Sequence, residues 1–398
     1  MNKSLRDRIA LISRRDMLKA TGALVGTALV PGALGLSATS AAAAPQSAPA
    51  AQQFVGKRYG IGFVLSNEQW PIQALVDQAV AAEAAGFDLV WSSDHFHPWQ
   101  DNEGHAGHAW VLLGAVSQRT KNVTFGTGVT APTYRHRPAI VAQAFASLGI
   151  LAPGRVFLGV GTGEALNEQA SGNGWGRYQE RAEKLTEAAQ IIKQLWSGEW
   201  VRFEGKHYQI PKAKLYDIPK IPVPLYIAAS GPKSFAISGT YGDGWITEPK
   251  NAINPQSRGI WEFAARGTGK EPNTMPILTE LFVFVGNKAD PELLPAAELW
   301  RFLPKAWTKF VNNPDPVAIY QEADKIVPIE EVVSNWIVSE DPQEYAARIQ
   351  ALFDGGVTQI IIHSAQKDQQ KVIEFFGKQV LPLVRSKISA LNGVLERG

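Results

Sequence analysis

Eight apolar runs of strand length, most of them followed by helical material, divide this chain between Tyr59 and Ser364. They are Tyr59–Ser66, Phe87–Asp94, Val123–Thr130, Val156–Gly163, Leu225–Ser230, Gly244–Glu248, Ile277–Gly286 and Thr358–Ser364. Several are continuously apolar rather than alternating, the pattern of parallel strands buried on both faces. Between them, apolar residues recur at spacings of three and four. Ile72, Leu75, Val76, Ala79 and Val80 form one such stripe, Ala182, Leu185, Ala188, Ala189, Ile192 and Leu195 another, and Val372, Ile373, Phe376 and Val380 a third near the C-terminus. Eight strand–helix units predict an α/β fold, a (β/α)₈ or TIM barrel. A doubly wound open sheet is the alternative. It would normally place a glycine fingerprint after the first strand, where this chain reads Leu65-Ser66-Asn67-Glu68.

Two connections exceed what a simple unit needs: Thr247–Met275 after the sixth strand and Asn287–Asp341 after the seventh. Both are rich in Pro, Trp and Asn, and are expected as insertions over the catalytic mouth. No internal repeat and no second domain is visible.

The N-terminus has a different character. Ser13-Arg14-Arg15-Asp16-Met17-Leu18-Lys19 precedes an uncharged stretch from Ala20 to Pro45 that contains Ala41-Ala42-Ala43-Ala44. Basic, apolar and small-residue zones in that order read as a twin-arginine signal peptide over 1–44. A polar linker at 45–56 and the barrel at 57–398 follow. The expected location is therefore the cell envelope, in the periplasm or at the membrane, reached folded through the twin-arginine translocase. The signal holds six basic and two acidic residues, which leaves 33 basic and 35 acidic residues beyond it, net −2 with His neutral. Nothing in that balance calls for nucleic acid. The absence of cysteine excludes disulfides, a lipoprotein anchor and cysteine metal sites.

In a barrel, reacting groups stand at the C-terminal ends of strands. The second strand ends Ser92-Ser93-Asp94-His95-Phe96-His97-Pro98-Trp99, the third Gly126-Thr127-Gly128-Val129-Thr130, and the fourth Gly159-Val160-Gly161-Thr162-Gly163-Glu164-Ala165-Leu166-Asn167-Glu168. The fifth ends Ala228-Ala229-Ser230-Gly231-Pro232. The polar clusters that look chemical thus share one rim. His95, His97, His105 and His108 fall within fourteen residues, but no helical His pair or bridging carboxylate accompanies them, so no metal is expected.

Asp94-His95-Phe96 with Trp99, the segment from Val160 to Glu168, and the tail His363…Asp368-Gln369 resemble the F420-dependent glucose-6-phosphate dehydrogenase family of luciferase-like barrels. The likeness runs from about Tyr59 to the C-terminus. It implies the deazaflavin coenzyme F420, with His95 as base, Glu164 as acid and Trp99 as the shield of developing charge. It also implies cofactor contacts from Asp94, Gly128, Val129, Thr162, Gly163, Asn167, Ser230 and Gly231, with a cis peptide at Gly128–Val129. A bland reading stands beside each: a core histidine for His95, a helix N-terminal acid for Glu164, and ordinary turn glycines.

The family's phosphate-binding cations are only partly present. Ile246-Thr247-Glu248-Pro249-Lys250 carries an added acid, and Ile277-Leu278-Thr279-Glu280-Leu281 stands where a lysine is expected. Lys250 and Arg301 remain as substrate-binding candidates. The second insertion adds Trp300, Phe302, Leu303, Trp307 and Phe310, and the first Trp261 and Phe263. These aromatics read equally as core or as a wall for a lipid. The implied activity is oxidation of a hydrophobic secondary alcohol of the envelope, hydroxymycolic acid to ketomycolic acid, with glucose 6-phosphate disfavoured. An FMN-dependent luciferase-like monooxygenase and a non-catalytic exported binding protein are the alternatives. The sequence leaves room for a homodimer.

Overall fold

The structure, a computed structural model, describes residues 59–395; the signal and linker segments and the last three residues lie outside the described residues. The strands in chain order are β1 Gly60–Leu65, β2 Leu89–Ser92, β3 Thr124–Thr127, β4 Leu158–Val160, β5 Val201–Glu204, β6 Gln209–Ala213, β7 Leu225–Ala228, β8 Gly244–Ile246, β9 Ile277–Val285, β10 Ile337–Ser339 and β11 Gln359–Ser364. The sheet runs β3-β2-β1-β11-β9-β8-β7-β4, every pairing parallel. Isolated parallel bridges Phe125↔Val156 and Thr130↔Val160 join β3 to β4, so the eight strands close into a barrel. All eight lie within the spans expected from sequence.

The seam between β3 and β4 explains two glycines. A Cβ at Gly126 would sit 2.2 Å from the Phe157 carbonyl oxygen, and one at Gly159 would sit 2.0 Å from that of Thr127. Only glycine lets these backbones approach closely enough for the Phe157 N–H to donate to the Phe125 carbonyl at 3.0 Å. Inside, Val64, Leu89, Trp91, Phe157, Tyr226, Ile246, Leu278 and Ile361 fill the lumen with side chains from the barrel wall alone. Outside, a larger core joins the alternate strand residues to the helices.

The two long connections have different fates. After β8, helices Pro249–Ala252 and Pro255–Arg266 belong to the outer ring. The buried Trp261 stacks on Trp245 with ring centroids 5.5 Å apart, while Phe263 is exposed. This connection therefore differs from the expectation of an insertion over the mouth. The connection after β9 fulfils it. It builds a second apolar core from Trp300, Phe302, Phe310 and Ile319, into which Trp99 and Leu166 reach from the barrel rim. Two features escaped the sequence reading. β10 adds to β9 in parallel. The β5–β6 hairpin is held by Glu187, whose carboxylate accepts the backbone N–H groups of Lys206, His207 and Tyr208.

Candidate active site

His95 follows β2, and its ring is held from two sides. Nδ1 lies 3.1 Å from the His97 carbonyl oxygen and 3.4 Å from Asn167 Nδ2. Nε2 lies 3.5 Å from Glu68 Oε1. Glu68 stands at the end of β1, buried, and its other oxygen accepts the hydroxyls of Ser93 at 2.6 Å and Ser66 at 3.0 Å. Glu68 was missed from sequence. The signal available was an acid at a strand's C-terminal end, on the rim already searched at β2 to β7.

Asn167 ties this segment to the fourth strand's loop. Its Oδ1 accepts from Phe96 N at 2.7 Å and His97 N at 3.3 Å, and its Nδ2 donates to Glu164 Oε2 at 3.1 Å. His95 and Glu164 are thus brought together through one amide. Glu164 precedes a single turn, Ala165–Glu168, yet its side chain accepts no capping N–H. Glu164 does stand at a helix N-terminus, where the bland reading of this acid puts it.

Asp94 is buried beneath. Thr130 Oγ1 donates to it at 2.6 Å, Arg135 Nη2 at 3.0 Å, and His136 Nε2 lies 3.6 Å away. Burial alone would raise its pKa, but His136, Arg135 and Thr130 together hold it well below the usual carboxylate range. Asp94 is committed to positioning the third strand's loop. Arg135 and His136 were also missed, although Tyr134-Arg135-His136-Arg137 is a basic run on the same rim.

The other residues expected to contact the cofactor follow the C-terminal ends of β3, β4 and β7. The Gly128–Val129 peptide is cis. Gly161 faces Val129, where a Cβ would come within 2.8 Å of Val129 Cγ2. Gly163 has φ +79, and Thr162 beside it is half-buried. At the end of β7 the backbone N–H groups of Ser230 and Gly231 bond the Ser234 hydroxyl at 3.1 and 3.0 Å, and a Cβ at Gly231 would meet nothing within 4 Å. Glu168 lies against the loop after β4, where a Cβ at Gly163 would come within 2.9 Å of its Oε1. Its Oε2 accepts Arg135 N at 2.6 Å while its buried Oε1 has no partner.

Trp99 stacks on Phe302 at 4.8 Å and meets the edge of Trp307 at 5.8 Å, joining the cap to the ring of His95 at 6.0 Å. Trp300, Phe302 and Phe310 are core, and Trp307 stays half exposed. The two cations considered for substrate binding are already paired. Lys250 Nζ lies 2.8 Å from Glu248, and Arg301 bonds Asp324 and lies 3.4 Å from Glu298. His108 caps the helix Ala109–Arg119. Among the described residues no group of three or more His, Asp or Glu is placed to hold a metal ion.

Comparison with known proteins agrees with this geometry. Residues 60–359 match the family model of luciferase-like monooxygenases. An F420-dependent hydroxymycolic acid dehydrogenase of Mycobacterium tuberculosis is 45% identical over 89% of this chain and 96% of its own length. An F420-dependent glucose-6-phosphate dehydrogenase of Kineococcus radiotolerans is 40% identical over 83% of this chain and 98% of its own. The solved structure of an F420-dependent secondary alcohol dehydrogenase in complex with an F420-acetone adduct is 32% identical, superposes with a TM-score of 0.75, and covers 82% of this chain and 99% of that one. The chain belongs to the luciferase-like family, among its F420-dependent dehydrogenases.

Proposed function

We propose that this protein is an exported F420-dependent oxidoreductase that oxidises a hydrophobic secondary alcohol of the cell envelope, hydroxymycolic acid to ketomycolic acid. The observation that carries the substrate class is the apolar Trp99–Phe302–Trp307 wall at the ring of His95, with the cations Lys250 and Arg301 both paired with carboxylates. Charged hydrogen bonds are worth about 1.5–3 kcal/mol each, and both of these cations already spend theirs on carboxylates of the chain itself. Each methylene buried contributes about 0.8 kcal/mol. The relatives' names support F420 and a CH–OH substrate. Envelope location rests on the Arg14-Arg15 segment.

The residues present fit a deazaflavin. Gly161 leaves room against the Gly128–Val129 bulge, and Gly231 opens the N-terminal side of helix Pro232–Tyr241. Gly163, Thr162 and Ser230 would be further contacts of the coenzyme. When bound, the coenzyme supplies a two-electron acceptor for hydride. His95 Nε2 takes the hydroxyl proton as the carbinol carbon is oxidised, and Glu68 stabilises the imidazolium that forms. Asn167 holds His95 and Glu164 in register, and Glu164 would be the acid facing a bound coenzyme. Trp99 and Phe302 exclude water above the imidazole.

The experiment is titration of purified protein with F420 and FMN, followed by cofactor fluorescence, then turnover with a long-chain secondary alcohol and glucose 6-phosphate side by side. Micromolar F420 binding and ketone formation are expected. Efficient glucose 6-phosphate turnover with none of the lipid alcohol overturns the substrate; tight FMN binding without response to F420 favours the monooxygenase.

A further inference from the structure

The mouth holds a second histidine–glutamate pair, on β9 and β11. Leu278 and Ile361 lie in the barrel lumen. Glu280 and His363 follow them by two residues, so both point inward one layer nearer the mouth. Glu280 Oε1 and His363 Nδ1 are 2.6 Å apart. The His363 ring is buried, stacked on Phe282 at 4.3 Å and set against the edge of Trp300 at 4.4 Å. Packing therefore fixes the imidazole, and the imidazole fixes the carboxylate. Glu280 nonetheless keeps 34% of its side chain exposed. Glu248 follows the lumen residue Ile246 of neighbouring β8 by the same two-residue step, and is 35% exposed. The β9–β11 wall thus offers an incoming substrate the Glu280 carboxylate, while Glu248 after β8 is paired with Lys250.

We propose that Glu280, held by His363, is a specificity-determining residue that keeps anionic alcohols out of the mouth and so selects uncharged ones. The inference rests on the dehydrogenase reading above and names the group that sets its substrate class. A fixed carboxylate facing a phosphate raises the cost of every anionic pose, while an uncharged chain meets no such cost. Rigidity matters here, since a mobile carboxylate could turn away to solvent.

The test uses the full chain, Glu280→Gln, Glu280→Lys and, as control for net charge, Glu262→Gln on the outer helix Pro255–Arg266. Glucose 6-phosphate binding is followed by tryptophan fluorescence without turnover, since Trp300 abuts His363. Affinity should rise about tenfold in Glu280→Gln and about a hundredfold in Glu280→Lys, with no change in Glu262→Gln. The ratio of kcat/KM for glucose 6-phosphate to that for 2-propanol should rise in the same order. Wild-type affinity in both Glu280 variants, or an equal gain in Glu262→Gln, overturns the proposal. Because the titration needs neither coenzyme nor catalysis, it decides this point even where the dehydrogenase assay fails. Glu280→Gln keeps the side-chain shape and guards against misfolding of the lysine variant.

Discussion

Glu168 offers a quantitative test of how the cofactor loop is built. Burial raises its pKa first and most; the Arg135 backbone N–H and charge oppose this, and the charges of Glu164 and Asp94 add to it. The outcome is a carboxyl pushed up to about 7 from its usual 4.5. Between those two pH values the folded chain keeps a proton that the unfolded chain has released. The sign follows: this stabilisation is complete below about pH 4.5, declines as pH rises, and is gone above about 7. A displacement from 4.5 to about 7 corresponds to about 3 kcal/mol. Glu168→Gln keeps an acceptor for Arg135 N–H and places an amide at the unpartnered Oε1 position. It cannot ionise, so the decline should vanish. For roughly 340 residues at about 2.1 cal/mol/K each, 3 kcal/mol is about 4 °C in Tm. Thermal unfolding of both proteins at intervals from pH 4.5 to 8 gives the difference, in which the other titrating groups cancel. The variant should match wild type near pH 4.5 and exceed it by about 4 °C at pH 8. A difference that stays constant across the window would refute the argument that burial holds this proton.

Three further outcomes are expected. His95→Asn should lower turnover by about 10²–10⁴ with F420 affinity nearly unchanged, measured by single-turnover kinetics and fluorescence titration; near wild-type turnover would remove His95 as the base. Gly159→Ala should destabilise by more than about 3 kcal/mol in urea unfolding or prevent folding, because its Cβ would lie 2.0 Å from the Thr127 carbonyl oxygen; an unchanged midpoint would show that the barrel seam can open. Replacing Arg14 and Arg15 by Lys should retain the protein in the cytoplasm, and equal export in a strain lacking the twin-arginine pathway would remove the localisation proposal.

Local and periodic information determined much of this protein. The apolar runs and the three-and-four spacings identified all eight barrel strands, because a parallel strand buried on both faces must be apolar throughout and its helix must show one apolar stripe. The rim rule pointed to the strand ends, since in a barrel the chemistry stands there, and the resemblance to the F420-dependent family singled out His95, Trp99, Glu164, Asn167 and the Gly128–Val129 cis peptide among them. What tertiary structure decided is who meets whom across sequence distance. Glu68 reaches His95 from β1, and Arg135 and His136 close on Asp94 from the loop after β3. Single acids and bases look alike in sequence until burial and a partner separate them. The same holds for Lys250 and Arg301, which read as free cations and prove to be paired. It holds for the aromatics too: Trp261 lies in the outer core, Phe302 under Trp99, and Trp307 half exposed. A sequence states that a side chain is charged or apolar; only the packed chain states whether that property is spent internally or left to a ligand.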